Sequence, residues 1–427
     1  MLSEGMQYMT LLELFDIKEA YRLPDAIMQS LMSDKAADMI QKVKAAGIIN
    51  TRDIFQEEQG DRKTLKQDFT PDCICSLVAK LVKSGNCLDI CSGTGALSKA
   101  TAVKCGDVNE YEFSERTIPF ACLDACVNGI TGYISRSDCL REKTVETYHL
   151  QRDGEISIPQ KTEVKNPEKY DNVVMNPPYS MKFEDTEDFQ IMGFTIPKSK
   201  ADYGFLLRGI EHLKEDGRLI AILPHGVLFR GQGEGKIREW LVREKMINAV
   251  IGLPDKLFLN TGIPVCLLVL QRNSPDILFI DASRDFEKKS AQNDMKKEHV
   301  QRIADAFAKR QNCEKYAHIA TYGEIEKNEY NLNIPRYVDS YEEEPLPDIE
   351  VLLNDLKNIS EEESFLQNEL YKMLGNLTGS CHDMEQIKKH REILKPKSKK
   401  KVLQKECTGQ IALGDLYGYA MQGNISY

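Results

Sequence analysis

Asn176-Pro177-Pro178-Tyr179 is the stretch of this chain with the most chemistry in it. Two consecutive prolines fix φ and remove two backbone donors, so the chain cannot turn straight into a helix. What is left exposed is an amide side chain, free carbonyls and an aromatic ring. That set suits a flat, hydrogen-bond-donating amine such as the exocyclic amino group of a base. A plain proline turn closing a strand is the alternative, and four residues alone do not choose. A second constellation lies upstream, Asp89-Ile90-Cys91-Ser92-Gly93-Thr94-Gly95. Glycines there permit positive φ and let a ligand approach the backbone. The Gly-x-Gly-x-x-Gly pattern of dinucleotide sites is broken, because Ser98 takes its last position, and that weakens a nicotinamide reading. Glu112 and Asp138 each close a predicted strand, where a carboxylate can accept from ribose hydroxyls or from an amino group. Glu115 is a local rival to Glu112. Each acid taken singly also reads as a solvated loop carboxylate.

Two further stretches carry less. Gly231-x-Gly233-x-Gly235-Lys236 imitates a phosphate loop, but Ile237 stands where Ser or Thr should hold magnesium and the glycine spacing is wrong, which excludes ATP there. His225 reads as a loop anchor rather than a base. The chain has twelve cysteines and no Cys-x-x-Cys; the pairs Cys73/Cys75, Cys87/Cys91 and Cys122/Cys126 have no ligand-like His beside them. Buried thiols in a reducing cytosol are expected, and no metal site.

The elements that must hold these groups follow from periodicity. Asn86–Ile90 reads as a strand, the glycine turn follows it, and a helix starts at Ala96. Strand, glycine turn, helix opens a doubly wound fold. Strands are also predicted near 108–113, 132–138, 172–175, 218–223, 249–252, 265–271 and 277–281, with helices near 74–82, 118–127, 203–213 and 237–242. Residues 140–169 read as a polar insertion and 180–200 as a charged, mobile loop. The expected fold is α/β, a doubly wound and mostly parallel sheet, with a small helical domain over 1–65, a catalytic domain over 66–340 and a helical region with a tail over 341–427. Leu352, Leu356, Ile359, Leu366, Leu370, Met373 and Leu377 recur at helical spacing. They predict a long amphipathic helix, either one arm of a coiled coil or a helix packed on the core. The lysines from Lys395 to Lys401 read as a solvated linker.

Lys plus Arg is 56 and Asp plus Glu is 66, a formal charge of −10. Such a chain does not coat nucleic acid by bulk charge, so basic surface for DNA must be local or supplied by a partner. The N-terminus lacks a basic start and a long apolar run, and no stretch reaches the roughly 18 apolar residues of a membrane span. A soluble, cytoplasmic protein without membrane contact is expected.

Together, the glycine turn, Glu112, Asp138 and Asn-Pro-Pro-Tyr resemble the amino-methyltransferases that use S-adenosylmethionine. The match is closest to the methylation (modification) subunits of type I restriction-modification systems, which methylate adenine N6 in DNA. Phe69-Thr70-Pro71 resembles that family's additional cofactor motif. The blocks Leu223 to Gly231, Ile251 to Pro254, Thr261 to Pro264 and Phe279 to Ser283 extend the likeness over roughly 65–340. Ser92 stands where the family commonly has Cys, and Tyr179 where Phe is frequent. The resemblance implies a sheet of the S-adenosylmethionine-dependent methyltransferase type. It implies S-adenosylmethionine held by Phe69, Thr70, Pro71, Asp89, Ser92, Gly93, Thr94, Gly95, Glu112, Asp138 and Asn176, and catalysis at Asn176, Pro177, Pro178 and Tyr179. It implies DNA, a specificity subunit and a restriction subunit as partners. A protein-glutamine or RNA methyltransferase, or a cofactor-binding scaffold without activity, are the alternatives. The tail Ile411 to Gly418 faintly resembles the opening of a specificity subunit's recognition domain; a terminal strand or disordered tail is the other reading.

Overall fold

A computed structural model describes residues 10–52, 54–55, 69–163, 169–183, 189–259, 262–289, 292–340 and 348–395. It divides into two compact units, within 1–341 and 342–427. In the first, the described residues form an eleven-stranded sheet. In chain order its strands are β1 (Gly85–Ile90), β2 (Cys105–Glu112), β3 (Gly132–Asp138), β4 (Lys143–Asp153), β5 (Ile156–Thr162), β6 (Tyr170–Met175), β7 (Leu213–Pro224), β8 (Ile247–Gly252), β9 (Val265–Leu270), β10 (Ile277–Asp281) and β11 (Ala317–Ala320). The spatial order is β11-β10-β8-β9-β7-β6-β1-β2-β3-β4-β5. From β3 through β2, β1 and β6 to β7 every pairing is parallel, and β9 runs antiparallel between β7 and β8.

Parallel strands are covered on both faces, so they read as near-continuous apolar runs. Val173 and Met175 of β6 join one core and Val174 the other, as alternation requires. Helices α4 (Asp72–Leu81) and α6 (Ile118–Val127) supply buried residues to one face, and α7 (Asp202–Glu211) and α8 (Gln232–Arg243) to the other. The N-terminal helices α1 (Leu11–Leu14), α2 (Leu23–Leu31) and α3 (Ala36–Ala45) place Leu11, Leu23, Ile27 and Ile40 in the same core as Phe120 and Leu123. Helix α5 (Ala96–Thr101) follows the glycine turn.

The topological reversal falls at β1. Chain order runs outward through β2 and β3 on one side and restarts at β6 on the other. A crevice must open there, beyond the carboxyl ends of β1 and β6.

Part of the chain departs from the sequence expectation. Residues 143–162 are no insertion apart from the sheet: β4 and β5 form an antiparallel hairpin that extends it beyond β3. Only Tyr148, Leu150, Thr147 and Ile156 to Ser157 with Pro159 are buried along it, so the apolar signal is diluted by exposed neighbours. Within 180–200, Phe183, Ile191 and Ile196 are buried and a small hairpin pairs Gln190–Ile191 with Phe194–Thr195. Helices α9 (Lys297–Lys309) and α10 (Tyr322–Lys327) and strand β11 carried no assignment from sequence.

The second unit contains α11 (Ile349–Asn376), where the long amphipathic helix was expected, and α12 (Cys381–Leu394), which was not. Arg391 lies 4.3 Å over the Tyr371 ring. No side chain of α11 is buried, and Leu352, Leu356, Ile359, Leu366 and Leu370 stand exposed. Residues 396–427, with most of the lysine run and the 411–418 tail, lie outside the described residues. Among the described residues, no helix is long and apolar enough to cross a membrane, and no His/Cys/Asp/Glu cluster is arranged to hold a metal.

Candidate active site

The crevice beyond β1 and β6 is a cavity of about 350 Å³, and the groups singled out in the sequence meet around it. Phe69, Thr70, Ser92, Gly93, Thr94, Glu112, Asp138, Asn176, Pro177, Pro178 and Tyr179 all line it. Pro71, Asp89 and Gly95 stand outside the lining, each with a local task.

The turn after β1 explains the last two. Cys91, Gly93 and Gly95 take φ of 62°, 59° and 85°. At Gly95 the positive φ favours glycine, and a Cβ would also crowd Glu110 Oε1 at 3.1 Å. Asp89 is fully buried and its Oδ2 accepts from Ser98 N at 3.0 Å and from Ser98 Oγ at 2.8 Å. It therefore ties the strand end to the first turn of α5. Its Oδ1 has no partner. Burial pushes this carboxyl up to about 7 against the pull of the Ser98 bonds. Glu110, in register beside it on β2, is held well above the usual carboxylate range by burial and then by the Asp89 charge. Pro71 is the N-cap of α4.

Glu112 faces the cavity from the end of β2. Its Oε2 accepts from Gly93 N at 2.9 Å and its Oε1 from Ser114 N at 2.8 Å. Burial raises its carboxyl, partly offset by those backbone donors. Its rival Glu115 is 73% exposed and pairs instead with Arg136 at 2.9 Å. Asp138, at the end of β3, accepts from Arg141 N at 3.2 Å and Arg141 Nη1 at 2.8 Å. Thr94 Oγ1 is buried in the turn with no partner. An acidic acceptor at the β2 end, a second at the β3 end, a glycine turn and an unpaired hydroxyl fit an adenosine-bearing cofactor with ribose hydroxyls and an amino end.

Across the crevice the β6 end is tightly wired. Asn176 Nδ2 donates to Thr70 Oγ1 at 3.0 Å, and Tyr179 Oη donates to Asn176 Oδ1 at 2.8 Å. The two bonds agree on one amide orientation, with the oxygen toward Tyr179. Tyr179 packs edge-on against Phe258, centroids 5.9 Å apart at 83°. The next residue, Ser180, has φ 49°. Its N–H donates to Asp202 Oδ1 at 2.9 Å, while Arg230 Nη1 reaches Asp202 Oδ2 at 2.9 Å and Arg230 Nη2 reaches Ser180 Oγ at 3.2 Å.

The N-6 DNA Methylase family model matches residues 55–345, well over half of the chain and all of the cavity. The chain belongs to the N-6 DNA methylase family. It is 29% identical over 223 residues to the type I restriction enzyme MpnII methylase subunit of Mycoplasma pneumoniae, covering 50% of this chain and 41% of that protein. It is 32% identical over 217 residues to the MjaVIII methylase subunit of Methanocaldococcus jannaschii, covering 47% and 37%. The chain thus spans about two fifths of the length of these curated relatives. The crystal structure of a type I restriction-modification methyltransferase subunit from Streptococcus thermophilus matches with 31% identity and a TM-score of 0.59, over 77% of this chain and 73% of that one. The resemblance read from the motifs is borne out, and the doubly wound sheet with it.

Several residues of the site carry no mark in the sequence. Asp202 opens α7, where an acid is an ordinary first-turn residue, so nothing marks it as the fully buried acceptor behind Ser180. Arg230 lies 50 residues from Ser180. Thr70, read from sequence as a cofactor group, lines the cavity and also accepts from Asn176 Nδ2 through its hydroxyl. His225 is a loop anchor, as expected: its Nε2 lies 3.0 Å from Val265 O, and burial lowers its pKa.

Proposed function

We propose that this chain transfers a methyl group from S-adenosylmethionine to N6 of adenine in DNA. In this reading it is the cytoplasmic modification subunit of a type I restriction-modification system, acting with separate specificity and restriction subunits. The supporting observation is one cavity that joins the glycine turn and Glu112 to Asn-Pro-Pro-Tyr across the topological switch point. Residues 66–340 form the catalytic part, and 341–427 the part that docks on a partner.

Bound at the glycine turn, S-adenosylmethionine supplies an electrophilic methyl group. The chain's own residues act on the amine. Adenine N6 is a weak nucleophile because its lone pair is conjugated with the ring. Asn176 Oδ1 and the Pro177 carbonyl accept its two hydrogens, which favours a more tetrahedral nitrogen and fixes its orientation. Thr70 keeps the Asn176 oxygen, rather than its amide nitrogen, on the Tyr179 side. Tyr179 offers a ring to stack on the base. The atom is out of reach in a duplex, so the base must be extruded, at a cost of about a few kcal/mol.

A net charge of −10 leaves phosphate binding to a local surface or to the partner. The exposed apolar stripe of α11 supports such a partner. A protein-glutamine or RNA methyltransferase would also use an amine clamp; membership of the N-6 DNA methylase family favours DNA. Labelled methyl transfer, measured on DNA, RNA and protein with and without a specificity subunit, tests the proposal. Label in adenine N6 of DNA, dependent on the partner, is expected. Label in RNA or protein alone, or site-specific methylation by the free chain, would overturn it.

A further inference from the structure

Two cysteines share the floor of the same cavity. Cys91 begins the glycine turn and Cys139 follows Asp138 at the end of β3. Their Sγ atoms lie 3.9 Å apart, although 48 residues separate them in sequence. Both are partly exposed and both line the cavity. A second interacting pair, Cys87 with Cys105, is buried in the sheet and lines no part of it.

We propose that Cys91 and Cys139 are a redox pair, oxidised by peroxide to a disulfide that weakens cofactor binding. The consequence for binding rests on the cofactor reading above; formation of the bridge does not. The neighbouring Cys139 sulfur and then burial keep the Cys91 thiol protonated, well above its ordinary value. One sulfur of the pair meets the oxidant as thiolate and the other resolves. The attacking thiolate takes one peroxide oxygen, the O–O bond breaks, and a sulfenic acid and, with the proton the thiol released, one water result. The partner sulfur then displaces the sulfenic oxygen, the S–S bond forms, and the second water leaves. Two thiols lose two electrons and two protons, and one peroxide becomes two waters.

The sulfurs must close from 3.9 Å to about 2.0 Å. Cys91 cannot follow freely. Its φ of 62° is a left-handed conformation that a side chain rarely adopts. Its N–H is held by Tyr111 O at 2.9 Å, and the next N–H, of Ser92, by the same oxygen at 3.1 Å. Bridging therefore pulls on the turn and on the Gly93 bond to Glu112, two residues along. A displacement of the turn that costs the bound state as much as one hydrogen bond, about 1.4 kcal/mol, lowers affinity about tenfold.

The full chain is treated with hydrogen peroxide, the cross-linked peptide is sought by mass spectrometry, and S-adenosylmethionine affinity is measured before and after, as a ratio. Cys139→Ser and Cys91→Ser are compared with the parent, with melting curves to confirm folding. The expected result is a Cys91–Cys139 peptide, an affinity loss of about tenfold in the parent that dithiothreitol reverses, and a ratio near one in both variants. Absence of that peptide, or an equal loss in the variants, would overturn the proposal. If the reduced protein binds no S-adenosylmethionine, the cofactor reading fails, and the cross-linked peptide still decides whether the bridge forms.

Discussion

Replacing Thr70 by valine keeps the shape of the site and deletes one acceptor. Thr70 is 6% exposed, so its hydroxyl is poorly replaced by water. What is lost is the 3.0 Å bond from Asn176 Nδ2; the Thr70 carbonyl, which accepts from Arg52 Nη1 at 3.0 Å, remains. A neutral bond of this kind contributes about 0.5–1.5 kcal/mol. Its absence frees the amide to turn over and present Nδ2, a donor, to the incoming amine. Since 1.4 kcal/mol is tenfold, turnover should fall by about two- to twelvefold. The assay is labelled methyl transfer to DNA with the specificity subunit present, alongside calorimetric S-adenosylmethionine binding. Positioning through Asn176 predicts a lower kcat with cofactor affinity kept. Lost cofactor affinity with kcat intact would refute it and make Thr70 the direct cofactor contact that the family motif implies.

Asn176→Ala removes the acceptor itself, and methyl transfer should drop by about 10²- to 10³-fold while cofactor binding persists; undiminished turnover would dismiss Asn-Pro-Pro-Tyr as the clamp. Asp202→Ala removes the acceptor that Ser180 N–H uses and one of the two buried carboxylates on Arg230, the other being Glu234 at 3.3 Å. Because Arg230 is 20% exposed and keeps Glu234, the loss in urea unfolding should stay below that of a fully broken buried pair, at about 1–3 kcal/mol; a loss under about 1 kcal/mol would remove Asp202 from the wiring. Asp89 titrates near 7 when folded and near 3.9 when unfolded. Between those values the folded state keeps a proton that the unfolded state has lost. Stability through this group therefore falls as pH rises across that window, by up to about 1.4 kcal/mol per pH unit, and levels above it. Asp89→Asn should remove that component from unfolding curves measured between pH 4 and 7; an unchanged slope would mean Asp89 is ionised in the fold.

Sequence served best where chemistry is local. The Asp89-to-Gly95 turn shows itself because positive φ calls for glycine, and Asn176 to Tyr179 because two prolines forbid a helix. Helices such as Ile118–Val127 matched their predicted bounds, since apolar spacing and an N-terminal proline act within one element. The β4–β5 hairpin went unread because most of β4 faces solvent and its pairing partner is supplied by the fold.

By itself, then, the sequence determined which groups are present and which strand each one ends. Alternating strands and helices also implied a doubly wound, mostly parallel sheet. Only the tertiary structure decided how the groups are used. Glu112 rather than Glu115 lines the cavity, and Glu115 pairs with Arg136 at the surface. Thr70 is bonded to Asn176 across 106 residues of chain. Asp202 lies beneath Ser180, and Cys91 comes against Cys139, through contacts that no local pattern encodes. The reason is physical: turns and helices are set by neighbours in sequence, whereas the crevice exists only where distant strand ends are packed side by side.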